Sequence, residues 1–267
     1  MPELPEVETV ANELRASIIN KKIEYVEALW PRSFDDRCNF DLKDQVIKSV
    51  GRQGKYLIFN LTRSFLIIHL RMTGQLLYFE DKSDNIIDDY TRVIIKFYSA
   101  GLLFRDVRKF GRIYHIDNPQ AFLSHVGPDA LDKNVTLSFF KSMLSSSKMN
   151  IKAFFLSQKF ISGMGNIYTD EALFISGIYP AKAASSIKNK KAEKLYTNMR
   201  AILKAAITNM GSTISDYRAP SGNKGSNQFY FNVYGREGLP CKVCNTAIQK
   251  IRFAGRGTHY CPKCQRA

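Results

Sequence analysis

The chain has 267 residues, 45% of them hydrophobic and 24% charged, and carries a net charge of +15. That length supports a well-buried core and roughly two domains. No run approaches the ~20 apolar residues of a membrane helix, and the acids Glu3, Glu6, Glu8 and Glu13 exclude the basic start of a secretory signal. A cytoplasmic protein without a membrane partner is therefore expected.

The placement of the charge says more than its sum. Residues 1–134 hold 19 Lys and Arg against 19 Asp and Glu, whereas residues 135–267 hold 20 against 5. A basic half of this kind suits a polyanion, because each cation that meets a phosphate releases condensed counterions. No basic amphipathic helix with an aromatic face supports a membrane surface instead.

At the start stands Met1-Pro2-Glu3-Leu4-Pro5-Glu6. Pro2 is a small second residue, so removal of Met1 is expected, leaving a secondary amine that titrates near ~8. Such an amine attacks a sugar aldehyde carbon to form an iminium. Glu3, one residue away, is the natural proton shuttle. The alternative is that Pro2 and Pro5 only stiffen the start of the chain. From Pro5 to Ile18, Val7, Val10, Ala11, Leu14 and Ile18 recur at helical spacing. Pro5 suits the first turn, and Glu6 and Glu8 suit the positive end of the helix dipole.

Residues 23–116 read as strands. Tyr56–Leu61 and Phe65–Leu70 flank the turn Thr62-Arg63-Ser64, and Arg92–Tyr98 and Leu102–Arg105 flank Ser99-Ala100-Gly101. β-Branched and aromatic runs at hairpin spacing predict a β-sandwich or barrel. The acidic stretch Asp81–Asp89 reads as a loop. After Pro119, Ser138–Leu144, Ile151–Gln158 and Asn166–Ile175 predict short helices, and Ala192–Met210 a longer one stopped by Gly211. Ser212–Ser226 is rich in Ser, Gly, Asn and Pro and reads as a mobile loop.

The tail carries the most specific local signal. Cys241-x2-Cys244, sixteen residues, then Cys261-x2-Cys264 is the spacing of a four-thiolate zinc site. Four thiolates close the shell, so one structural Zn2+ is expected. A disulfide pair is the alternative. The span Lys250–Tyr260 between the pairs predicts a β-hairpin with a basic tip, in which His259 is a hairpin side chain. Cys38 is left as a free structural thiol.

These segments together resemble bacterial formamidopyrimidine-DNA glycosylase along the full length. The resemblance rests on Pro2-Glu3-Leu4-Pro5-Glu6-Val7-Glu8-Thr9, Gly54-Lys55-Tyr56-Leu57 and His69-Leu70-Arg71-Met72-Thr73-Gly74. It continues in Asp106-Val107-Arg108-Lys109-Phe110-Gly111, Gly163-Met164-Gly165-Asn166-Ile167-Tyr168, Val233-Tyr234-Gly235-Arg236 and the cysteine tail. It implies an α+β multidomain chain: an N-terminal β-sandwich with an N-terminal helix, a helical helix–two-turns–helix region, and a zinc finger. The expected boundaries are 1–118, a linker at 119–134, 135–231 and 232–267. Leu4 and Val7-Glu8-Thr9 resemble the purine-repair branch rather than endonuclease VIII.

The implied activity is a monomeric glycosylase and abasic-site lyase acting on double-stranded DNA with a damaged base. Pro2 would be the nucleophile and Glu3 the proton carrier, with Glu6 a structural carboxylate nearby. Lys55 and Arg256 would assist as phosphate contact and clamp. The resemblance puts Met72, Arg108 and Phe110 in the gap left by an extruded base, although Met72 and Phe110 read equally as core residues from sequence alone. It also assigns DNA contacts to His69, Tyr90, Lys152 and Asn166, and places Glu171 close to the lesion pocket. The Gly163-Met164-Gly165 run offers N–H groups to an anion, and the loop Tyr217–Gly225 would cover the extruded base. Tyr90 departs from the family, which usually has His there. Two rival readings stay open: an endonuclease VIII-like enzyme for oxidised pyrimidines, and a non-catalytic zinc-finger DNA-binding protein in which a retained Met1 blocks Pro2.

Overall fold

The structure is a computed structural model that describes residues 2–80 and 87–266. Most of the acidic loop expected at Asp81–Asp89 lies outside the described residues. Helix α1 (Leu4–Ile18) forms where the periodicity places it, and Val7, Val10, Ala11, Leu14 and Ile18 have no exposed surface. Full burial of a Val, Leu or Ile contributes roughly 1.5–3 kcal/mol. This helix is therefore a firm base for the residues at its mouth.

Among the described residues nine strands follow: β1 (Ile23–Ala28), β2 (Phe34–Asp36), β3 (Ser49–Gln53), β4 (Tyr56–Asn60), β5 (Phe65–His69), β6 (Gln75–Glu80), β7 (Thr91–Phe97), β8 (Ala100–Arg105) and β9 (Arg112–Ile116). They form two sheets, ordered β1-β7-β8-β6 and β2-β9-β5-β4-β3. Every pairing is antiparallel except β2 with β9. Leu57, Phe59, Leu66 and Ile68 of one sheet and Val93, Ile95, Leu102 and Phe104 of the other share a core with α1, which makes the sandwich. Both expected hairpins form: Tyr56 pairs with His69 and Phe97 with Ala100. A short helix α2 (Pro119–Phe122), capped by Asn118, closes the run.

Met1–Ser124 form one compact unit together with Asn209–Ser226, and His125–Thr208 form the other with Asn227–Ala267. The segment 209–226, assigned from sequence to the helical region, is thus part of the N-terminal unit. Nor is it the loose loop its composition suggested. Tyr217 is only 7% exposed within the sandwich core, Tyr78 N donates to Pro220 O at 3.0 Å, and Ser221 N donates to Glu13 Oε2 at 2.9 Å. Gly225 must be glycine for the chain to pack this closely: a Cβ there would lie 2.2 Å from Gly211 O.

The second unit contains α3 (Leu137–Ser146), α4 (Ile151–Leu156), α5 (Asn166–Ser176), α6 (Asn189–Thr208) and a hairpin of β10 (Gln249–Phe253) with β11 (Arg256–Tyr260). Thr136 and Asn150 cap α3 and α4, and Gly177 ends α5 at φ +68°. Helix α5 is buried on nearly all sides, including the polar run Thr169-Asp170-Glu171. Buried polar groups need partners, and those of α5 find theirs within this unit.

Candidate active site and nucleic-acid interface

Pro2 and Glu3 are both buried, at the N-terminal mouth of α1 with Glu3 as its N-cap. The Glu3 N–H donates to Glu6 Oε2 at 2.8 Å, and the Ser212 N–H donates to Glu6 Oε1 at 2.7 Å. Tyr217 Oη adds a hydrogen bond to the Glu6 carbonyl at 3.3 Å. The Glu6 carboxylate is therefore a staple between the chain start and the 209–226 segment. Gly211, at φ +74°, must be glycine, since a Cβ would come within 2.8 Å of Glu6 Cγ and Oε1.

A second group is tied to the same helix. Arg52 Nε pairs with Glu8 Oε2 at 2.7 Å while its Nη1 donates to Gly54 O at 2.8 Å. Burial pushes the Glu8 carboxyl up, but hydrogen bonds from Arg52 and then Arg15 outweigh it and leave it below the usual carboxylate range. This pair links α1 to the turn at Gly54 (φ +57°) that presents Lys55, which is only 6% exposed. His69 lies near it. Burial first, then the charges of Arg71 and Lys55, hold the imidazole down at about 3. His69 Nδ1 accepts the Arg71 N–H at 2.9 Å, so the ring hydrogen sits on Nε2 and the neutral ring remains a donor.

Met72, Arg108 and Phe110 are brought together, and all three are exposed; Met72 is 39% and Phe110 50% accessible. They are not core residues. The Arg108 guanidinium lies 4.9 Å from the Phe110 ring centroid, and its Nη1 is 3.1 Å from Met72 Sδ. The organiser beneath them is Asp106, fully buried, to which the sequence alone assigns no role. Its Oδ1 accepts the Arg108 N–H (3.1 Å) and the Thr73 hydroxyl, and its Oδ2 accepts the Gly111 N–H (2.6 Å). One carboxylate thus joins the loop after β5 to the loop after β8. An Asp followed by backbone donors at +2 and +5, ending in Gly, was the signal available. Tyr90 is exposed, with the Arg105 guanidinium 5.6 Å from its ring centroid. Arg105 pairs with Asp88 and holds that carboxyl down at about 2.

In the second unit the expected contacts separate. Arg256 is exposed at the start of β11, beyond a turn in which Ala254 and Gly255 both have positive φ (+49° and +70°). That is the two-residue turn matching the twist of a hairpin. Asn166 Nδ2 donates to Gly257 O at 2.9 Å. Lys152, expected among the DNA contacts, has no exposed surface, and its ammonium lies 2.6 Å from Asp170 Oδ1. A side chain without exposed atoms cannot meet a phosphate. Glu171 is likewise occupied: it accepts the N–H groups of Asn232, Val233 and Tyr234 at 2.9–3.0 Å. It shapes that loop rather than offering a free carboxylate. Of the glycine-run donors, the Gly163 N–H is spent on Gln158 Oε1 at 3.0 Å.

The sulfurs of Cys241, Cys244, Cys261 and Cys264 all lie within 4.8 Å of one another, with the closest pairs at 3.4 Å. That is too long for a disulfide and right for four thiolates around one ion. They hold one structural Zn2+, packed on Phe174, Val233 and Ile248. Cys38 keeps a free thiol that donates to Asp117 Oδ1; burial, then Asp117, push it up. Among the described residues no helix is long and apolar enough to cross a membrane.

Family models match in three consecutive pieces: the formamidopyrimidine-DNA glycosylase N-terminal domain at residues 1–113, the H2TH domain of that glycosylase at 126–218, and the zinc finger found in FPG and IleRS at 238–267. The formamidopyrimidine-DNA glycosylase of Geobacillus kaustophilus is 39% identical over 276 residues, covering 100% of both chains. That of Streptococcus pneumoniae is 38% identical over 274 residues, covering 100% of this chain and 99% of its own. Among solved structures, the complex of the Lactococcus lactis protein with DNA containing an abasic site superimposes with a TM-score of 0.89 at 35% identity, covering 99% of this chain and 100% of that one. A MutM complex with DNA containing carbocyclic 8-oxo-G reaches 0.90 at 36%, covering 100% of both.

Proposed function

Because this chain belongs to the formamidopyrimidine-DNA glycosylase family and is a DNA glycosylase of base-excision repair, we propose that it removes oxidised purines through a Schiff base on Pro2 and then cuts the strand. The substrates are double-stranded DNA carrying 8-oxoguanine or a formamidopyrimidine. The observation that carries this reading is the N-terminal corner: Pro2 and Glu3 buried at the mouth of α1, fixed through Glu6 to Gly211-Ser212. A nucleophile held on rigid elements is what an in-line attack requires.

With Met1 removed, the Pro2 nitrogen attacks C1′ of the extruded nucleotide. The C1′–base bond breaks and the base leaves with a proton. The nitrogen loses its proton, and the C1′–O4′ bond breaks as O4′ takes up a proton and the sugar ring opens. The iminium so formed at C1′ acidifies the neighbouring sugar protons, so β- and then δ-elimination expel the two phosphates. Glu3 supplies and removes the protons. Neutral His69 donates from Nε2 to a phosphate without titrating near neutral pH, and Lys55 contacts a phosphate and donates a proton. Met72, Arg108 and Phe110 fill the gap in the duplex, with Arg108 on the orphaned partner base. Unstacking costs roughly a few kcal/mol, which their stacking offsets. Arg256 clamps a phosphate, and Tyr90 is a DNA contact. The zinc supplies no chemistry, only the frame of the hairpin.

Excision from duplexes with 8-oxoguanine opposite C and with thymine glycol tests the substrate. Faster release of 8-oxoguanine is expected; preference for thymine glycol would overturn the purine assignment.

A further inference from the structure

Lys152 and Asp170 form an ion pair in which neither side chain has any exposed surface. Nothing in the reaction above uses it. Taking both charges out of water is costly, and such a pair persists only when its remaining hydrogen-bonding capacity is also filled. Part of that capacity is filled by one edge of one strand. Lys152 Nζ reaches the Gly257 carbonyl at 3.4 Å, and Asn166 Nδ2 donates to the same oxygen at 2.9 Å. Asp170 Oδ2 accepts the His259 N–H at 2.9 Å.

Gly257 O and His259 N, two residues apart, point to the same side of β11. The hairpin is a two-stranded ribbon with Arg252 opposite Gly257 and Phe253 opposite Arg256. Such a ribbon is marginal alone, and its outer edge would be a row of unpaired groups. Cys261, just past the end of β11, fixes the base of the hairpin to the metal. The tip lies at the other end of β11, and α4 and α5 supply partners along the edge between the two, Lys152 and Asn166 at Gly257 beside the tip and Asp170 at His259.

We propose that the buried Lys152–Asp170 pair is a positioning device for Arg256, holding the outer edge of β11 so that the guanidinium one residue before Gly257 meets the DNA backbone in a fixed place. This rests on the reading of Arg256 as a phosphate clamp. Lys152 acts through Arg256 and touches no DNA itself, which accounts for its burial.

The test is a double-mutant cycle on the zinc-loaded full chain. Binding to a duplex with a tetrahydrofuran abasic analogue is measured against KCl concentration, with zinc content and thermal midpoint recorded for each variant. Arg256→Ala alone should weaken binding about tenfold and flatten the slope of log K against log salt by about 0.9, the value for one phosphate. Lys152→Met should reproduce most of both changes with zinc retained, and adding Arg256→Ala to it should cost less than about twofold more. An undiminished Arg256→Ala effect in the Lys152→Met background would overturn the proposal. If Lys152→Met sheds zinc, Asp170→Asn carries the same cycle with the same criteria. Loss of zinc in both would overturn it too, since the pair would then support the whole module. No effect of Arg256→Ala in the unaltered chain would instead refute the clamp itself, before any Lys152 comparison.

Discussion

Glu6 shows how much one carboxylate decides here. Both of its oxygens are taken by backbone N–H groups, one on Glu3 and one on Ser212. Glu6→Ala removes the acceptor of two buried backbone donors, at about 1–3 kcal/mol each. Stability should fall by about 2–6 kcal/mol in denaturant unfolding, and excision should fall with it, whereas Glu13→Ala should leave excision within about twofold. His69 carries a pH prediction of definite sign. Its folded value of about 3 lies below the unfolded value near 6.5. The unfolded chain therefore binds more protons, so stability is fully present above about 6.5 and falls as pH drops from there towards 3. In His69→Gln that share of the slope between pH 6.5 and 4 should vanish; an unchanged slope would show that His69 is not buried neutral.

Among the elements, the loops after β5 and β8 carry Met72, Arg108 and Phe110, the residues proposed to fill the gap in the duplex, and Asp106 makes them one body. Asp106→Ala should disorder both, lowering excision from duplex DNA by more than Met72→Ala alone. Met72→Ala should lower it about tenfold, or about 1.4 kcal/mol of transition-state stabilisation, with a smaller loss on a preformed abasic site. Equal losses on the two substrates would argue against a role in extrusion. The elements themselves were legible from local pattern: the α1 stripe, the two hairpins and the cysteine pairs each need only near neighbours in sequence. What stayed hidden depends on distant partners. Nothing near Lys152 announces Asp170, and nothing near Gly211 announces Glu6. For the same reason Ser212–Ser226 read as a mobile loop, since a glycine such as Gly225 serves close backbone packing as well as it serves a loop, and Tyr217 alone hinted at burial. Lys152 and Glu171 matched family positions, yet their surroundings spend both charges inside the protein.

For the whole molecule, the uneven charge implies strong salt dependence. With the excess of Lys and Arg confined to residues 135–267, several phosphates should be neutralised, each adding about 0.9 to the slope of log K against log salt. A flat response would contradict the polyanion argument. Removing zinc should abolish DNA binding, because the hairpin loses the metal at its base, while the sandwich keeps its own core and its melting transition. Unimpaired binding in chelator would show that the hairpin is dispensable.

The central claim is that Pro2 is the nucleophile, and borohydride trapping on an 8-oxoguanine:C duplex addresses it directly, with wild type beside Pro2→Gly and Glu3→Gln. The expected result is a covalent adduct in the wild type, mapped by mass spectrometry to the Pro2 nitrogen, with strand cutting strongly reduced in both variants. An adduct on another residue, or no adduct although Met1 is removed and DNA is bound, would contradict the account.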